Sequence, residues 1–364
     1  MLLQEKLAER KLPELLKFAD GSPVTADRWA DRRREMLDLL CDEEYGHAPK
    51  GPFTVTSEVT RFSALDQRAY AGKALTKEIR ITVKAPDGEF SFPIEQVIPK
   101  SDKKLPVIIF INFRAEAPDR YWPVEEIIDR GVAVFRIYYN DVAKDANDEF
   151  QSGLGLAFDH QKYDWGKISM WAWAASRTLD YVETLEGMDL DNVAVLGHSR
   201  LGKTALFCAA NDERFKYSFV NCSGCSGDAI TRQKTGEHVV NIYKSFPVWF
   251  CPNYAKYRDN EDEMPFDQHF LVACCAPRYI CSSTAIEDTW ADPFSQFLSD
   301  YAASEAWELL GLKGLVTPDR MPVPGDVYLD GSVGFQLRSG AHFLSRADWN
   351  FYLDFMEKKM AEGK

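Results

Sequence analysis

The chain has no apolar run near the roughly 20 residues that a membrane-spanning helix needs, so no segment of it reads as transmembrane. It also lacks any Lys/Arg-rich run, and its formal net charge is −13. An acidic chain without a basic stripe is a poor partner for nucleic acid or for an anionic membrane surface. The opening residues, Met1 to Arg10, carry charge from Glu5 onward and lack the apolar stretch of a secretory signal. That predicts a cytoplasmic protein, or a secreted one whose leader has been trimmed. Cysteines number eight, but they are poor in pattern. Only Cys222 and Cys225 have metal-ligand spacing, and no second pair lies at finger-like distance, so no metal or cofactor is expected. The eight are expected to be small buried hydrophobes. No internal repeat or low-complexity linker interrupts the 364 residues, of which 45% are hydrophobic and 27% charged. One domain spanning 1–364 is therefore expected.

What is present is a change of rhythm along that domain. Residues 1–50 read as an N-terminal helical arm, with Trp29, Met36, Leu37, Leu39 and Leu40 on a periodic segment. Residues 53–98 alternate polar and apolar, as antiparallel strands with one wet face do, and Asp87-Gly88 marks a hairpin turn. Near-continuous apolar runs then follow at 105–112, 132–138, 193–196, 217–221, 278–283 and 333–338. Strands of that kind are covered on both faces, which implies a parallel sheet. Helical periodicity fills 168–186 and 348–360. The expected fold class is α/β: a doubly wound, mostly parallel sheet entered through antiparallel strands, with three layers in all. Residues 228–270, rich in aromatics, read as an insertion over the sheet's C-terminal edge, where such folds bind ligands.

One segment carries chemistry. Val193 to Leu196 is a buried strand, Gly197-His198-Ser199-Arg200-Leu201-Gly202 a tight turn, and a helix follows. This is the nucleophile elbow of α/β-hydrolases, with Ser199 at its tip and its second glycine one place late, at Gly202 instead of 201. A serine hydroxyl needs a base to take its proton. In this fold the order is serine, acid, histidine. Of the histidines downstream, His238 and His269 fall in the aromatic insertion, whereas His342 follows the last long strand and is the expected base. The acid belongs on a loop after a strand, and Ile286-Glu287-Asp288-Thr289-Trp290 supplies Asp288, with Glu287 as the alternative. The oxyanion is expected to face the backbone N–H of Arg200 and its guanidinium.

The ordered set of motifs resembles the glucuronoyl esterases, carbohydrate esterase family 15. It runs from Asp20-Gly21 and Trp29…Arg32-Arg33 through Gly197-His198-Ser199-Arg200-Leu201-Gly202-Lys203 to Phe246-Pro247-Val248-Trp249-Phe250, Glu287-Asp288-Thr289-Trp290 and Arg338-Ser339-Gly340-Ala341-His342. The resemblance implies a serine esterase that cleaves esters of glucuronic acid. It implies Ser199 as nucleophile, His342 as base and Arg200 in the oxyanion hole. It further implies that Lys203 and Glu237 contact sugar hydroxyls and that Trp290 lines the sugar pocket. The implied partner is a small-molecule or oligosaccharide uronate ester.

The chain departs from the family pattern at one place. Many members carry the acid as a glutamate in an E-S-G-x-G-G segment, and Cys222-Ser223-Gly224-Cys225-Ser226-Gly227 puts a thiol there. Some members have a second carboxylate two residues before the pocket tryptophan, and Asp288 stands there relative to Trp290. Two rival readings stay open: deacetylation of xylo-oligosaccharides by the same triad, and a catalytically weak sugar-binding homologue.

Overall fold

A computed structural model describes residues 2–160 and 164–363. Its centre is a ten-stranded sheet in the order β1-β2-β3-β5-β4-β6-β7-β8-β10-β9. Strands β1 (Thr54–Arg61), β2 (Ala74–Ala85) and β3 (Gly88–Pro99) form the antiparallel entry, and β3 pairs antiparallel with β5 (Ala133–Tyr138). From β5 the sheet is parallel through β4 (Leu105–Asn112), β6 (Met188–His198), β7 (Tyr217–Asn221), β8 (Tyr279–Ala285) and β10 (Val333–Arg338). The two-residue β9 (Val327–Tyr328) closes the edge antiparallel to β10.

The apolar runs are continuous because successive residues feed different cores. Ile109 and Ile111 of β4 join one cluster with Trp171, Leu201 and Phe297, while Ile108 and Phe110 join another with Trp122, Trp349 and Tyr352. The first core is roofed by helices Lys167–Val182, Arg200–Asn211 and Pro293–Leu309, and the second by Val124–Asp129 and Arg346–Glu362. Three layers result, as expected. Among the described residues, no helix is long and apolar enough to cross a membrane. The aromatic insertion carries three short helical segments, Val239–Ser245, Pro252–Tyr257 and Glu261–Glu263. All eight cysteines are free and buried.

Beneath the insertion, the arm contributes Glu44, fully buried and accepting from Gln268 Nε2 at 3.1 and 3.3 Å. Burial pushes its carboxyl up to about 8, against the hydrogen bond from Gln268. A carboxyl with a raised folded pKa holds its proton more tightly in the folded state, so stability falls as pH rises from about 4.5 to about 8. Glu44→Gln is expected to raise the melting temperature at pH 8 and to change it little at pH 4.5. Thermal scans at the two pH values check this.

Candidate active site

The elbow forms because two glycines remove side chains where none fits. A Cβ on Gly197 would lie 1.9 Å from the Leu201 carbonyl oxygen, and one on Gly202 would lie 3.0 Å from that of Asn221. Leu201 is fully buried, so the position that is usually the second glycine serves as a core residue here, and the close approach to β7 falls one residue later. Ser199 takes φ 59° and ψ −128°, a strained conformation for a residue with a side chain. It is held by hydrogen bonds from its own N–H to the Asn221 carbonyl at 2.8 Å and to its carbonyl from Gly202 N–H at 2.8 Å.

All seven residues singled out in the sequence line one cavity of about 350 Å³: Ser199, Arg200, Lys203, Glu237, Asp288, Trp290 and His342. The cavity opens at the C-terminal ends of the parallel strands, where open α/β sheets take their ligands. Ser199 follows β6, Asp288 follows β8, and His342 follows β10. His342 Nδ1 meets Asp288 Oδ2 at 2.6 Å. Asp288 is buried and Glu287 is exposed, so the alternative acid points away from the work. The two loops are stitched together by Ile286 N–H on the Arg338 carbonyl at 3.0 Å and Glu287 N–H on the Gly340 carbonyl at 3.1 Å. Arg338 ties the histidine loop from below, donating to Asp348, to the carbonyls of Ser339 and Ala341, and to that of Phe343. His238 and His269 lie outside the cavity: His238 pairs with Glu261 at 2.7 Å, and buried His269 bonds the Pro13 carbonyl at 3.1 Å. A larger recess of about 490 Å³, lined by Trp173, Arg177 and Arg214, shares no residue with this cavity. Its His47 is paired with Asp42.

Lys203 is only 3% exposed, on the buried face of its helix. Its ammonium donates to the Ser223 carbonyl at 2.5 Å and stands 3.6 Å from Glu237. Glu237 in turn hangs its N–H on the Trp290 carbonyl at 2.8 Å. Gly236 must be glycine for this contact, since a Cβ there would lie 2.4 Å from that same carbonyl. Asp292 pins the two loops together by accepting from Thr235 N–H at 2.8 Å and from Ser295 Oγ at 2.7 Å. Trp290 is 54% exposed, so its ring is a wall of the cavity and not part of the core.

Arg200 is held by two aromatic residues of the Phe246–Phe250 motif and by Asp145, which the sequence does not single out. Its guanidinium pairs with Asp145 and lies over Trp249 at 4.5 Å and Phe246 at 4.9 Å. Asp145 is itself oriented by Trp249 Nε1 at 2.7 Å. Arg200 Nε is buried with no hydrogen-bond partner among the described residues. The guanidinium is therefore fixed in place with donor capacity to spare. The backbone N–H of Arg200 opens a helix, where no intrahelical acceptor exists for it.

The family model described as glucuronyl esterase, fungi, matches residues 81–311. A carbohydrate esterase, MZ0003, from an unknown prokaryotic organism is 34% identical, covering 97% of this chain and 90% of that one. The chain belongs to the glucuronoyl esterase family. A 4-O-methyl-glucuronoyl methylesterase of Schizophyllum commune is 31% identical over 83% of this chain and 74% of its own. The solved glucuronoyl esterase from Solibacter usitatus superposes with a TM-score of 0.87 at 32% identity, covering 95% of this chain and 97% of that one. Cys222 also lines the cavity. Burial, reinforced by the neighbouring Asp288 carboxylate, pushes its thiol well above the ordinary range. It stays protonated and offers no anion to an imidazole. His198, the elbow residue before the serine, packs its ring 4.5 Å from that of His342. Burial holds His198 well below the usual histidine value, with Nδ1 against Asn221 Oδ1 at 2.6 Å, so it presents a neutral face to the base.

Proposed function

We propose that this family member hydrolyses esters of glucuronic acid through an acyl-enzyme formed on Ser199. His342 takes the hydroxyl proton as Ser199 Oγ attacks the ester carbonyl, and Asp288 fixes the tautomer and steadies the imidazolium. The Arg200 backbone N–H and guanidinium face the developing oxyanion. Collapse of the tetrahedral intermediate expels the alcohol, which receives the proton from His342. Water then attacks the acyl-enzyme by the same route in reverse order. Buried Lys203 and half-buried Glu237 offer a donor and an acceptor to sugar hydroxyls, and the exposed Trp290 ring a stacking surface.

The observation that carries this reading is the 2.6 Å contact between His342 and Asp288 in the cavity that also holds Ser199. The polar floor favours a sugar acid over an acyl chain. Parallel assays on methyl glucuronate and an acetylated xylo-oligosaccharide test the substrate. The expected result is a kcat/KM at least about tenfold higher on the uronate ester, a difference of about 1.4 kcal/mol in transition-state binding. The reverse order would favour deacetylation. Turnover of neither, with retained sugar binding, would favour a binding protein. Small soluble uronate esters suit a cavity of about 350 Å³.

A further inference from the structure

The thiol of Cys222, which the proposed hydrolysis does not use, has a chemistry of its own. Cys222 directly follows β7, which neighbours β8, whose loop carries Asp288, and β8 pairs with β10, whose loop carries His342. One ligand-type atom from each of Cys222, Asp288 and His342 lies within 4.8 Å of the other two. Sulfur, carboxylate oxygen and imidazole nitrogen are the three donors that tetrahedral zinc accepts, with an open position left for water. In such a site the donors stand roughly 3.5 Å apart, so the more distant donors draw in while the 2.6 Å contact between His342 Nδ1 and Asp288 Oδ2 opens to admit the ion. His342 is exposed on the loop after β10 and lines the cavity that gives an ion its entry. One carboxylate and one thiolate neutralise a dication. With glutamate at 222 the set would be two carboxylates and an imidazole, without the sulfur that selects soft metals over Mg²⁺ or Ca²⁺.

We propose that Cys222, Asp288 and His342 form an inhibitory site for Zn²⁺ and similarly thiophilic dications. Binding forms a metal–sulfur, a metal–oxygen and a metal–nitrogen bond. The thiol proton leaves to solvent as the sulfur becomes thiolate. At His342 the metal takes the Nδ1 lone pair, so the ring proton moves to Nε2. An imidazole protonated at Nε2 has no lone pair for the Ser199 hydroxyl, and hydrolysis stops without any oxidation or loss of fold. The inhibitory consequence rests on His342 acting as the base, whereas the binding does not.

Two measurements separate these. The first titrates Zn²⁺ against methyl glucuronate hydrolysis in chelator-free buffer, comparing each protein with its own metal-free rate. Inhibition is expected in the parent chain, reversed by EDTA and absent with Mg²⁺. In Cys222→Ala and Cys222→Ser its midpoint is expected to rise more than roughly 100-fold, beyond the cost of losing an outer partner. The second adds Co²⁺ to Ser199→Ala, whose turnover is nearly abolished, and reads the thiolate-to-cobalt charge-transfer absorption. That band is expected in Ser199→Ala and lost when Cys222→Ser is added. Equal zinc sensitivity in the parent and both Cys222 variants, or no cobalt–sulfur band in Ser199→Ala, overturns the proposal. If the chain hydrolysed no uronate ester at all, the cobalt band would still report on the site alone.

Discussion

Asparagine in place of Asp288 lowers kcat on a glucuronate ester by about 10³- to 10⁴-fold, with little change in KM. The isosteric amide fits the same buried space, where Asp288 Oδ1 accepts from Ala291 N–H at 3.4 Å. Its neutral side chain can present an N–H to His342 Nδ1, which turns the ring to the tautomer that cannot accept from Ser199. No nearby group takes over. Cys222 is held as a thiol by its burial, and Glu287 is exposed. Steady-state kinetics beside a thermal melt check the prediction: a kcat within threefold of the parent would remove Asp288 from the mechanism.

Alanine at Ser199 costs more. The nucleophile and its base act as a unit, so its loss is expected to lower kcat about a million-fold, leaving only what oxyanion stabilisation and binding provide. The elbow should survive, because its geometry is fixed by Gly197, Gly202 and the 2.8 Å bond from residue 199 N–H to the Asn221 carbonyl. Covalent labelling by a fluorophosphonate, followed by mass spectrometry, should mark Ser199 in the parent and nothing in the variant. Labelling that persists in the variant would move the nucleophile elsewhere.

Local pattern made much of the architecture readable. The alternating strands, the Asp87-Gly88 hairpin and the continuous apolar runs correspond to β1–β8 and β10, because each run reports its own burial on one or two faces. The elbow was readable for a similar reason: its backbone demands glycine at fixed offsets. Helix Pro293–Leu309 was not anticipated, although its start is written in Asp292, whose side chain caps Ser295 N–H, and in the proline that follows. Buried on most sides, that helix shows little periodicity. The short edge strand β9 is too brief to leave any. The Asp145 clamp on Arg200 is of another kind. It joins positions 55 apart in the chain, and its link to Trp249 spans 104, so no local signal marks it. The burial of Lys203 is likewise decided by the insertion that folds over it.

The strand order β7-β8-β10 has one more consequence. Residue 222 and residue 288 approach the same imidazole from neighbouring strand ends, so a carboxylate placed at either position would lie beside that ring.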